Sequence, residues 1–171
     1  MAFKVSYKDA QQDFELIPVG SYEMYVKSAE TAYTNGGTEY FQVRLQIRDD
    51  IEQAAQNRQM SDRMWLSEKA LPITERRANM LSKAAKLDDG KEYEDMNAWG
   101  RDLVGKFVKV RVRHSKATAD YEPREEVGGY YESDAPAPVG DITGLEEALR
   151  SAAPAAPAGA FAQVNNDELP F

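Results

Sequence analysis

Three alternating segments, a helical stretch and two further alternating segments, in that order over residues 17–132, predict a mainly β domain. The order is that of a five-stranded OB-fold barrel with one or two helices between strands 3 and 4, here followed by a disordered C-terminal tail. Composition agrees. Of 171 residues, 42% are apolar and 29% charged, as in a soluble domain with a core. Beyond residue 132 large apolar side chains give way to Ala/Pro-rich sequence that buries too little surface to fold alone.

Residues 1–16 read as an N-terminal arm, in which Phe3, Val5 and Tyr7 alternate as in an edge strand. Pro18-Val19-Gly20 turns into strand 1, about residues 21–33, where Tyr22, Met24 and Val26 alternate with Glu23, Tyr25 and Lys27. Asn35-Gly36-Gly37 supplies a hairpin turn, because Asn and Gly tolerate positive φ. Strand 2, residues 38–48, sends Phe41, Val43, Leu45 and Ile47 one way and Tyr40, Gln42, Arg44, Gln46 and Arg48 the other. Strand 3, residues 58–67, puts Met60, Met64 and Leu66 on one face and Arg63 and Trp65 on the opposite one. Pro72 suits the first turn of a helix running to about Lys86, marked by Ile73, Ala78, Leu81, Ala84 and Ala85. Residues 94–102 predict a short second helix with Met96 and Trp99 inward. Strand 4, residues 106–114, alternates Val108, Val110 and Val112 with Phe107, Lys109, Arg111 and Arg113. Strand 5, residues 124–132, contains Gly128-Gly129, the mark of a bulge or a close backbone approach.

The chain divides into that arm, the folded domain at 17–132, a flexible linker at 133–164, in which residues 141–150 suit a transient amphipathic turn or two, and an acidic tip at 165–171. Charge follows the same division. Residues 1–132 hold 20 Lys and Arg against 23 Asp and Glu, whereas residues 133–171 hold 1 against 6. The tail therefore carries most of the net charge of −8, and the domain is close to neutral. No apolar run approaches the ~20 residues a membrane span needs, no signal-peptide core is present, and there is no cysteine. These features point to an intracellular protein with no membrane partner.

The face opposite the apolar stripes collects Tyr25 and Lys27, Tyr40, Arg44 and Arg48, Arg63 and Trp65, and Phe107, Lys109, Arg111 and Arg113. Cations neutralise phosphates and release counterions. Rings among them stack on unpaired bases without selecting sequence. That set is the expected site for single-stranded DNA. At the other end, Asp167 and Glu168 precede Leu169-Pro170-Phe171, an acidic, apolar hook expected to bind partner proteins. The lone histidine, His114, ends a strand on its apolar register and suits packing better than chemistry. There is no Gly-rich loop leading into Lys-Ser/Thr for a nucleotide. The acidic clusters Asp49-Asp50-Glu52 and Asp88-Asp89 read as loops and lack the companion Lys or His a divalent-ion site needs, and a small nuclease built on Asp49, Asp50 and Asp62 is a third expectation. The sequence thus predicts no enzyme, no cofactor and no metal.

Two resemblances bear on these expectations. The core Pro18-Val19-Gly20-Ser21-Tyr22-Glu23, the run from Val43 to Gln53, Asp62-Arg63-Met64-Trp65-Leu66, and Leu103-Val104-Gly105-Lys106-Phe107-Val108-Lys109-Val110 together resemble a phage family filed as domain of unknown function 669. Members of that family are read as single-stranded DNA-binding proteins. The last residues are similar to the C-terminal tip of bacterial and phage single-stranded DNA-binding proteins. The resemblance implies a role in phage DNA replication or recombination in the cytoplasm of a bacterial host, with the tip recruiting replication or recombination proteins. It implies no contact residues. A homo-oligomer is compatible with the sequence. The competing expectation is a protein-interaction adaptor on the same fold that binds no nucleic acid.

Overall fold

The computed structural model describes residues 15–136, 138 and 140–152. Seven elements follow the expected order: β1 (Gly20–Tyr33), β2 (Glu39–Ile47), β3 (Gln59–Trp65), α1 (Leu71–Ala84), α2 (Met96–Leu103), β4 (Phe107–His114) and β5 (Glu125–Glu132). An eighth, α3 (Leu145–Ala152), lies where the sequence suggests only a transient amphipathic turn, because its apolar side chains find a surface on the domain. The expectations for residues 1–14 and for 153–171, including Asp167, Glu168, Leu169, Pro170 and Phe171, fall outside the described residues.

The strands form one antiparallel sheet in the order β3-β2-β1-β4-β5. The long central strand β1 serves two neighbours. Its residues 20–25 pair with β4 and its residues 24–33 with β2. A register shift between Val26 and Ser28 leaves Lys27 as an extra residue. Such a bulge bends a strand and sharpens its twist, which lets β1 curl between two partners while Met24, Val26 and Ala29 all stay buried. The expected irregularity at Gly128-Gly129 is a second bulge, since Arg111 faces Gly129 while Val112 faces Val127.

The inner face of the curled sheet holds the main core. Phe41, Val43, Leu45 and Ile47 of β2 meet Val108, Val110 and Val112 of β4, with Met60 and Met64 from β3 and Val127 and Tyr130 from β5. Leu81 and Ala84 of α1 and Trp99 and Leu103 of α2 close that core. Asp95 caps α2 by accepting from the Ala98 amide at 2.7 Å. Gly100 lets α2 press against β1, for a Cβ there would lie 2.2 Å from the Ala29 carbonyl oxygen. Ile73 of α1 is exposed, because Thr74 turns inward instead and donates to the Trp65 carbonyl at 2.6 Å. The start of the domain is pinned as well. Ile17 is fully buried, its amide donates to Glu125 at 2.7 Å, and His114 Nε2 donates to its carbonyl at 2.6 Å.

Among the described residues the sheet is not closed into the expected OB-fold barrel. No backbone ladder joins β3 to β5 among the described residues. Side chains span the seam instead. Asp62, on the inward register of β3, is buried and receives Tyr130 Oη from β5 at 2.6 Å and Arg77 Nη2 from α1 at 2.6 Å. Burial raises its carboxyl pKa above the ordinary value, and Arg77 and Tyr130 only partly oppose this.

The seam generates a prediction. Removing the acceptor with Asp62→Ala strands a buried hydroxyl and a half-buried guanidinium, and urea unfolding should show a loss of about 2–3 kcal/mol. The pH dependence has a definite sign. Folded Asp62 holds its proton more tightly than the unfolded chain, so its contribution to stability is full below pH ~4 and is lost as pH rises through the raised pKa. Urea midpoints measured across that window should lose this component in Asp62→Asn.

Candidate functional site

The outer face of the sheet carries all eleven polar and aromatic residues that the alternation selects. It is divided into an open half and a covered one. On the open half, β2 and β3 bring Tyr40 opposite Trp65 and Gln42 opposite Arg63. The two rings meet at 5.4 Å between centroids, tilted by 56°, and the Arg63 guanidinium lies 4.9 Å above the Tyr40 ring. Tyr40 is thereby buried under its neighbours, while Trp65 remains 39% exposed. Arg44, one step along β2, is exposed and pairs in register with Ser61. The platform is an aromatic plate flanked by two guanidinium groups.

The platform continues across the seam. A cleft of about 420 Å3 brings Arg63 and Trp65 together with Arg77, Arg113 and Arg124. Its acids are already engaged: Asp62 with Arg77 and Tyr130, Glu126 with Arg113, and Glu125 with the Ile17 amide. Arg124 was not selected from the sequence as a site residue. Neither was Tyr121, which is exposed in the loop before β5 with the Arg124 guanidinium 5.9 Å from its ring centre. The only sequence signal was an aromatic residue three positions from a cation in a loop, which is weak without knowing that the loop borders the cleft. Arg111 is exposed further along β4.

The covered half departs from expectation. Tyr25 and Arg48, expected on an open face, are both fully buried, because residues 133–136 and 140–152 lie over them. Tyr25 Oη donates to the Thr143 carbonyl at 2.9 Å, and Gln46 Nε2 donates to the same oxygen at 2.9 Å. Burial, aided by Asp49 and Glu147, pushes the Tyr25 phenol up to about 12. Thr143 also donates from its amide and hydroxyl to Asp49, whose carboxyl is held below its usual range by that contact. Gly144, at φ +82°, lies so close that a Cβ would sit 2.7 Å from Tyr25 Oη. Arg48 grips Asp50 with Nε at 2.9 Å and Nη2 at 2.7 Å and stacks 4.4 Å above the centre of Phe107. Its Nη2 also reaches the Pro136 carbonyl at 3.4 Å. Lys109 is paired with Asp134, and Lys27 donates to Gln46 at 3.1 Å.

Asp49, Asp50 and Asp62 do not converge, as each is committed to a different protein partner. Among the described residues no group of three or more His, Cys, Asp or Glu is placed to hold a metal ion. None of the described helices is long and apolar enough to cross a membrane.

Residues 3–138 match the model of a family described as protein of unknown function (DUF669), and the chain belongs to that family. No curated protein matches the chain.

The two tryptophans should report the two environments separately. Trp99 is buried against Phe41 at 5.0 Å and donates Nε1 to Ser82 at 2.9 Å. Acrylamide should quench Trp65 and spare Trp99. Trp65→Ala should leave the unfolding midpoint within about 1 kcal/mol of the parent, while Trp99→Ala should cost ~3–5 kcal/mol.

Proposed function

We propose that this member of the family binds single-stranded DNA without strong sequence preference, through the outer face of β2 and β3 and the cleft beyond it. The observation that carries the reading is the exposed Trp65 ring, backed by the buried Tyr40 and set among Arg44, Arg63, Arg113 and Arg124. An unpaired base offers a π-face to Trp65, and stacking of that kind contributes ~1–3 kcal/mol per base. The guanidinium groups on either side lie where a strand's phosphates would pass. The curled five-stranded sheet, with β1 shared and α1 filling the β3–β5 end, supports an OB-type barrel left partly open. That fold presents its β2–β3 face and its loops to oligonucleotides. The role is binding rather than catalysis, within phage DNA replication or recombination. Residues 165–171 then act as the partner-recruiting tip.

Titration with labelled oligo(dT) at several salt concentrations tests this. Binding should favour single strands over duplex, with log K falling as log salt rises at about −0.7 per phosphate neutralised. Arg44→Ala should reduce that slope by ~0.7. Trp65→Ala should raise Kd about 5- to 150-fold, corresponding to ~1–3 kcal/mol. Equal affinity for duplex, or a flat salt response, would favour a protein-interaction adaptor instead. Removing residues 165–171 should abolish capture of replication or recombination proteins while leaving oligo(dT) affinity equal or slightly higher.

A further inference from the structure

The outer face of β1 and the start of β4, around Tyr25, Phe107 and Lys109, carries the same chemistry as the open half, yet it is closed. We propose that Tyr25, Arg48, Phe107 and Lys109 form a second stretch of the DNA track, covered in the free protein by residues 133–136 and 140–152 acting as a displaceable strap. This deepens the single-stranded DNA reading and rests on it.

The strap satisfies the face with oxygens. The carboxylate of Asp134 takes the Lys109 ammonium, the Pro136 carbonyl takes Arg48, and the Thr143 carbonyl takes Tyr25 and Gln46. Each is an acceptor that a phosphate or a base carbonyl can replace. The strap is also anionic, with Asp134, Asp141, Glu146 and Glu147 against Arg150. It therefore puts negative charge where a nucleic-acid strand would put it.

The fit is incomplete. Arg48 is 1% exposed, yet its Nη1 has no hydrogen-bond partner among the described residues. A buried N–H of a guanidinium is rarely left so, and a phosphate oxygen arriving in place of the strap would complete it. Apolar anchorage is thin and separate from the main core. Ile142 and Ala148, helped by Leu145 and Ala152, form a small cluster with Tyr25 and Val104, while Leu149 is half exposed. The family match ends at residue 138, so the anchoring helix lies beyond it, whereas the face beneath lies within it. If the closed state dominates, apparent affinity is reduced by the fraction of molecules that are open.

The test uses the full chain. Hydrogen exchange on the unmodified protein should show amides of residues 142–152 protected when free and deprotected at saturating oligo(dT). Ala148→Glu places a charge in the small cluster, and Gly144→Val drives a side chain against Tyr25. Either should lower the oligo(dT) Kd about 10-fold at low salt and steepen the salt slope. Lys109→Ala should weaken binding several-fold in the opened variants and little in the parent. Binding by the parent with strap protection unchanged at saturation, and opened variants that bind no more tightly, overturns the strap while leaving the open-half reading intact. Binding by the opened variants alone supports it. No binding by parent or variants overturns the DNA reading and the strap with it.

Discussion

The whole arrangement depends on β1 lending its two ends to two different strands. A straight 14-residue strand would keep one partner on each edge for its full length and hold the sheet flat. The bulge at Lys27 lets residues 20–25 serve β4 while residues 24–33 serve β2. The sheet therefore curls, which gives the valines of β4 and the apolar stripe of β2 a common interior. Curling also brings the edges of β3 and β5 close enough for Asp62 and Tyr130 to touch. A carboxylate is an expensive closure, since burial disfavours its charge. It leaves a seam rather than a ladder, and the seam is where the guanidinium groups of α1, β3, β4 and the loop before β5 converge.

On the proposed reading, the same curvature creates a surface for which DNA and the chain's own acidic segment compete. The outer face of β2 and β3 is open and pairs rings with cations. The outer face of β1 and the start of β4 is occupied by the chain's own acidic segment, whose backbone carbonyls and Asp134 would, on the proposed reading, stand in for a polyanion's oxygens. A near-neutral domain gains little from long-range attraction. Its affinity for a polyanion depends on how many cations are free locally, and an acidic cover is a direct way to set that number.

Period-2 alternation made the strand faces legible. Val43, Leu45 and Ile47 are buried and Arg44 is exposed as the alternation demands, and the same holds for β4. The bulge at Gly128-Gly129 was legible because glycine weakens a regular strand. The cover over Tyr25 and Arg48 was not, since alternation specifies which face a side chain occupies and says nothing about what later lies on it. Ile142, Leu145, Ala148 and Ala152 suggest an amphipathic turn, but so short a stripe does not say which surface it packs against. Asp62 sits on the Met60 and Met64 register, so its inward direction could be read, but its partners Arg77 and Tyr130 are distant in sequence.

The central claim is that the β2–β3 platform touches DNA directly. The most direct measurement is an amide chemical-shift map of the full chain during titration with oligo(dT). The largest shifts should fall on residues 40–44, 61–65 and 121–124, where the plate and the cleft meet. Shifts confined to the exposed surface of α1 around Ile73 and Met80, or none at saturating oligonucleotide, would contradict it.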